Sequence, residues 1–220
     1  GFSQIDNNVF NKLVNSPKTD FIFFIATSFI TRFKEHDNVK KYIDTNKIEF
    51  DSTKPHECHR IIANYYQSLI PADKEYYLHH FTIENGANRY GLIFGTAHTL
   101  GMEKFLKVCW KYDNLAGEAN MNIDGNHKPG ELFYVAGNSN KKDAVKKEIK
   151  EMVLSGRIAD NITGFKYALK QKCMPNVLSE VIKELESKNK VRRIGAKSYT
   201  STDIHKIKVG SKDYYKIELL

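Results

Sequence analysis

Residues 90–113 read YGLIFGTAHTLGMEKFLKVCWKYD, and this stretch constrains the fold more than any other in the chain. An apolar run ends on Gly95-Thr96, a short polar loop follows, and Gly101 opens an amphipathic segment. Met102, Phe105, Leu106, Cys109 and Trp110 recur at helical spacing, with Lys104, Lys107 and Lys111 on the opposite face. A buried strand that runs through a glycine-bearing loop into a helix is the repeating unit of open α/β folds. Ligands in such folds bind outside the carboxyl ends of the strands, where Gly95 to Gly101 would lie. The same two glycines also suit a plain turn. The unit therefore locates a candidate site without naming a reaction.

The other periodicities extend this reading. Val9–Val14 reads as the tail of a short helix, and Phe21–Ala26 as a buried strand, being short, continuous and aromatic. Ser28–Phe33 continues as a helix with Phe29, Ile30 and Phe33 on one face and Arg32 on another. After a weakly patterned polar stretch, 34–53, Pro55 fits the first turn of a helix carrying Ile61, Ile62, Tyr65, Tyr66 and Leu69. Tyr76–Ile83 and Asn88–Phe94 are two strands across a Glu84-Asn85-Gly86 turn, so short a connection that they must be antiparallel. Such a hairpin closes many doubly wound sheets. Residues 114–130 are dense in Asn, Gly, Asp and Pro and read as a connection or domain boundary.

From Lys141 the pattern becomes one of compact helices. Val145, Ile149, Met152 and Val153 line the first, which Ser155-Gly156 ends; Phe165–Leu169 marks a second. Pro175 starts a third, with Leu178, Val181, Ile182 and Leu185 inward and Lys183 and Lys188 outward. Val191–Ile194 alternates as a strand, a polar loop follows, and Tyr214–Leu219 alternates again. Three helices, a strand, a loop and a closing strand are the order of a winged helix. The expected organisation is an α/β domain over residues 1–130 and a winged-helix-like domain over 131–220.

Charge divides at nearly the same place. Of the net +8, residues 1–140 carry 15 Lys+Arg against 16 Asp+Glu, whereas residues 141–220 carry 19 against 10. A near-neutral body with a basic appendage suits a nucleic acid or an acidic protein partner, although a solvated lysine-rich surface has the same composition. Lys183, Arg192, Arg193 and Lys197 are the candidate nucleic-acid contacts, on the third helix and at the root of the wing. The longest apolar run, Phe21–Ala26, is too short to cross a bilayer. Three scattered cysteines, Cys58, Cys109 and Cys173, form no paired framework and suggest a reducing, cytoplasmic setting.

Absences narrow the chemistry. No Gly-x-Gly occurs, so neither a dinucleotide fingerprint nor the glycine-rich donor loop of a methyltransferase is present, and no Gly-x-Ser-x-Gly presents a nucleophile. Met102-Glu103 replaces the Lys-Ser/Thr pair that a phosphate loop needs. His56 and His59 would share a helix face, but no second spaced pair completes a tetrahedral zinc site. His79 and His80 would point to opposite faces of a strand. His98, beside Thr96 in the strand-to-helix loop, is the better candidate for orienting a substrate or for acid–base work. Arg32 would bind an anionic group or pair with a carboxylate.

The run FIFFIATSFITRF, then YGLIFGTAHTLGMEKFLKVCWKYD, then a basic tail resembles the three-Cys-motif partner protein (TcmP) family. Arg32-Phe33, Phe94, Gly95, Thr96, His98, Gly101, Lys104 and Trp110 match its pattern, while Ala26-Thr27 replaces the usual Asn-Phe and Ala97 stands where a basic residue is common. The cysteines of the family's name belong to its partner. The resemblance covers the family's second half and implies a partial Rossmann-like, class I methyltransferase-like mixed sheet. Binding of S-adenosylmethionine would fall to an upstream Asp-x-Phe-Ala-Gly-x-Gly segment outside these 220 residues. The intact protein would then be a methyltransferase, and this portion alone would lack the donor pocket.

Overall fold

The computed structural model describes residues 6–16, 18–26, 57–121, 140–199 and 202–220. Helix α1 (Asn7–Val14) is started by Asp6, whose carboxylate accepts from the Val9 amide, and it buries Phe10 and Val14. Strand β1 (Phe21–Ala26) alternates inward and outward side chains, and α2 (Cys58–Ser68) turns Ile62, Tyr65 and Tyr66 inward. Strands β2 (Tyr77–Asn85) and β3 (Asn88–Thr96) form the expected hairpin, with Asn85 opposite Asn88. Helix α3 (Thr99–Tyr112) follows directly. The expected helices at 28–33 and from Pro55 lie wholly or at their start outside the described residues.

The sheet order is β1-β3-β2, antiparallel at both junctions. β1 and β2 therefore run parallel, with β3 reversed between them. One face packs on α1 and α2: Phe21, Phe23 and Ile25 join Leu78 and Ile93 against Phe10, Ile62 and Tyr66. Gly95 belongs to the strand, not to a turn, and lies opposite Phe21. A Cβ there would fall 2.2 Å from the Phe21 ring, so glycine answers to close packing. On the other face, Met102 and Leu106 of α3 cover Tyr77 and Phe94, while Ile22 and Phe24 of β1 remain 59% and 51% exposed.

Part of the expected linker is woven into this sheet. The Asp113 carboxylate accepts from the amides of Leu115, Ala116 and Glu118, curling the chain back. The Thr82 amide then donates to Glu118 O at 2.7 Å, and the Asn120 amide to Thr82 O at 3.0 Å, along the outer edge of β2.

The last eighty residues make α4 (Lys141–Leu154), α5 (Asn161–Lys170), α6 (Asn176–Ser187), β4 (Val191–Gly195), a 3₁₀ turn at Ile204–Lys206 and β5 (Tyr215–Leu219). Asn140 and Asp160 cap α4 and α5 through side-chain oxygens. β4 and β5 pair antiparallel as a separate two-stranded sheet. The Ile217 amide donates to Ala159 O at 2.8 Å, so the residues before α5 add a third short edge to it. Buried Asn161 holds this junction, donating to Asp213 O and accepting from the Tyr215 amide. One apolar cluster nevertheless runs from Tyr77, Phe94 and Met102 through Ile149, Phe165 and Leu178 to Ile217. Trp110 Nε1 donates to Lys172 O at 3.0 Å across the same seam.

Candidate functional site

The strand-to-helix loop builds the first candidate site. Buried Thr96 accepts the His98 amide on Oγ1 at 3.0 Å. Gly101 approaches so closely that a Cβ would sit 2.8 Å from that oxygen, which explains a glycine in the first turn of α3. His98 is the N-cap of α3: its ring Nδ1 accepts from the Leu100 amide at 3.1 Å, so the neutral ring carries its proton on Nε2. Across from it stands His205 of the 3₁₀ turn, with ring centres 5.8 Å apart. The two imidazoles border a cleft of about 250 Å³ with Thr99, Glu75 and Lys166. Lys166 and Glu75 are paired at 2.8 Å, and the Tyr77 hydroxyl donates to the same carboxylate. Such a lining can donate and accept hydrogen bonds to a small polar ligand.

The position of this loop corrects the expectation that set it at the ligand end of the sheet. Gly95 pairs with Phe21 and Thr96 with Tyr77, the first residues of β1 and β2. Because β3 is reversed, its carboxyl end coincides with the amino ends of the parallel pair. The carboxyl ends of β1 and β2 are at Ala26 and Asn85, on the opposite side. His98 thus comes together with His205 and Lys166, while Thr96 lies buried beneath it and holds its backbone. Arg32, which follows β1 in the sequence, lies outside the described residues.

A second polar cluster is buried. The Glu118 carboxylate meets Arg60 Nη2 at 2.7 Å, Lys141 Nζ at 2.6 Å and His80 Nε2 at 3.5 Å. Burial opposes its ionisation, yet His80, Lys141 and Arg60 outweigh that and hold its carboxyl well below the usual range. Burial pushes the His79 and His80 imidazoles down, and it pushes His59 down to about 4, aided by neighbouring His80. His59 lies 3.0 Å from Thr82 Oγ1, while His79 Nε2 lies 2.8 Å from Gly117 O. Sequence reasoning missed this cluster because residues 60, 80, 118 and 141 share no spacing. It missed His205 for the same reason. Among the described residues, no three His, Cys, Asp or Glu side chains gather to hold a metal. Nor is any described helix long and apolar enough to cross a membrane.

The four candidate nucleic-acid contacts differ in how they are engaged. Arg193 is turned inward, 12% exposed, paired with Glu186 at 2.9 Å and donating to the carbonyls of Ala196, Lys197 and Ser198. Its guanidinium also lies 3.6 Å from the centre of the Tyr199 ring, which Lys183 approaches at 4.7 Å. Arg192 grips Glu218 through two nitrogens. Lys197 is exposed and forms no ion pair among the described residues. On the same helix as Lys183, Glu180 and Glu184 pair with Lys142, Lys146 and Lys150 of α4. No family model matches the chain, and no curated protein or solved structure gives a significant match.

Proposed function

We propose that this chain is the carboxyl-terminal half of an S-adenosylmethionine-dependent, TcmP-type methyltransferase-like protein whose terminal winged-helix-like domain docks a nucleic acid or a protein partner. β1 carries the reading. Its FIFFIA sequence is apolar on both faces, as in strands covered on both sides. Yet Ile22 and Phe24 are more than half exposed, and no described strand lies along its outer edge. An upstream half bearing the donor pocket would supply a further neighbour and cover. The parallel orientation of β1 and β2 on either side of a reversed β3 makes the described sheet mixed, as large α/β sheets commonly are. The donor would then meet the carboxyl ends of β1 and β2, away from the His98 cleft.

For the terminal domain, support comes from three helices, a hairpin and the 159–160 edge bridged to β5. The helix that would enter a major groove, α6, presents Glu180 and Glu184 beside Lys183, which favours contact through the hairpin and the Lys197 loop instead. The rival reading is a binding module without chemistry, favoured by the purely structural engagement of Thr96. Calorimetric titration of S-adenosylmethionine into the protein extended by its upstream half separates the two. Saturable heat supports the enzyme; none at millimolar ligand removes it.

A further inference from the structure

A polar cavity of about 310 Å³ lies between the end of α2, the loop before β2 and the end of α5. Its described lining includes Lys74, Lys170 and Lys172 and no carboxylate. We propose that these three lysines bind the phosphate of a small phosphomonoester, with the organic body resting on Ile70, Pro71 and Leu169. This site is separate from the donor pocket of the reading above and does not depend on it.

The charge balance is the main argument. Neither Lys170 nor Lys172 forms an ion pair among the described residues, and Lys74 donates to a neutral acceptor, Asn15 Oδ1. Glu75, the nearest acid in sequence to Lys74 on the β2 side, feels the charge of Lys170 but spends its hydrogen bonds on Lys166 and the Tyr77 hydroxyl in the neighbouring cleft. Lys172 is half-buried; burial, then the charge of Lys141, lowers its pKa against the opposing charge of Glu118, so its ammonium is sheltered and only partly balanced. Its backbone has φ +59°, uncommon for a residue with a Cβ, and Trp110 holds its carbonyl. Tyr76 also borders the cavity, is 3% exposed, and its hydroxyl has no hydrogen-bond partner among the described residues. Lysine ammoniums are point-charge partners for phosphate, and the volume admits a ligand near the small end of the usual range.

The test is calorimetry of the whole chain with phenyl phosphate, inorganic phosphate and phenol in parallel. Phenyl phosphate should saturate with a dissociation constant of roughly 1 mM or tighter, inorganic phosphate should bind more weakly, and phenol should give no saturable heat. Lys172→Gln should weaken phenyl phosphate about tenfold, as should Lys170→Gln, an exposed position whose change leaves the core untouched. Lys208→Gln, remote from the cavity, should bind as the parent does. Absence of saturable heat, or parent-like affinity in both K172Q and K170Q, overturns the proposal. Equal affinity for inorganic and phenyl phosphate would overturn the phosphomonoester assignment and leave the lysines to free phosphate. None of these outcomes bears on methyl transfer, whose titration requires the upstream half.

Discussion

Mild acid should destabilise this protein through its buried histidines. His59 is fully buried, and its pKa falls from 6.5 to about 4 because burial, then His80, disfavour the charged ring. Between those values the unfolded chain takes up a proton that the folded chain refuses. The resulting stability is complete above about pH 6.5 and is lost as pH falls toward 4. At pH 5 the gap is about 1.5 pH units, and at about 1.36 kcal/mol per unit His59 alone accounts for about 2 kcal/mol. His79 and His80 shift in the same direction for the same reason and add to the loss. Glu118 contributes only at more acid pH, below its ordinary value of 4.5. Urea unfolding at pH 7.5 and 5.0, with unchanged slope, should show a loss of at least about 2 kcal/mol. Proton NMR should place the His59 ring titration near 4. Equal or greater stability at pH 5.0, or a His59 titration near 6.5, would refute the reasoning.

Other perturbations follow from particular contacts. Gly95→Ala puts a methyl 2.2 Å from the Phe21 ring and should cost about 1–3 kcal/mol in urea titrations; a neutral result would mean that the β1–β3 register is wrong. Glu118→Gln leaves Arg60 and Lys141 without their shared carboxylate, and partial exposure of both cations limits the expected loss to about 2–3 kcal/mol. Arg193→Ala should lower the melting temperature by loosening the loop after β4, whereas Lys197→Ala should not. If the terminal domain binds duplex nucleic acid, Lys183→Ala and Lys197→Ala should each lower the salt slope of binding by about one; a flat salt response assigns the surface to a protein partner.

Local pattern carried much of the fold. The β2–β3 hairpin, the start of α3 at its glycine-bearing loop and the α4-to-β5 order all follow from periodicities and breakers within short windows, and the mixed α/β class follows from them. Non-local facts were hidden. Nothing near residue 95 tells that β3 inserts between β1 and β2, which sets the His98 loop at the amino ends of the parallel pair. Glu118 sits in a stretch rich in turn residues, yet its backbone pairs with Thr82 and its side chain anchors Arg60 and Lys141. Arg192 and Arg193 look equivalent in sequence, but strand alternation turns one outward to Glu218 and the other inward over Tyr199. His205 meets His98 only because the loop between β4 and β5 folds back onto α3.

The central claim is that β1 belongs inside a larger sheet. In an edge strand every second amide points away from its only neighbour, so amide hydrogen exchange across the six residues of β1 reads the claim directly. In this chain alone, where β3 is the one described neighbour of β1, roughly half of those amides should exchange fast; if the proposed upstream half exists, in a protein carrying it all should be protected and Ile22 and Phe24 should lose their reactivity to surface labelling. Identical exchange along β1 in the two proteins would contradict the account.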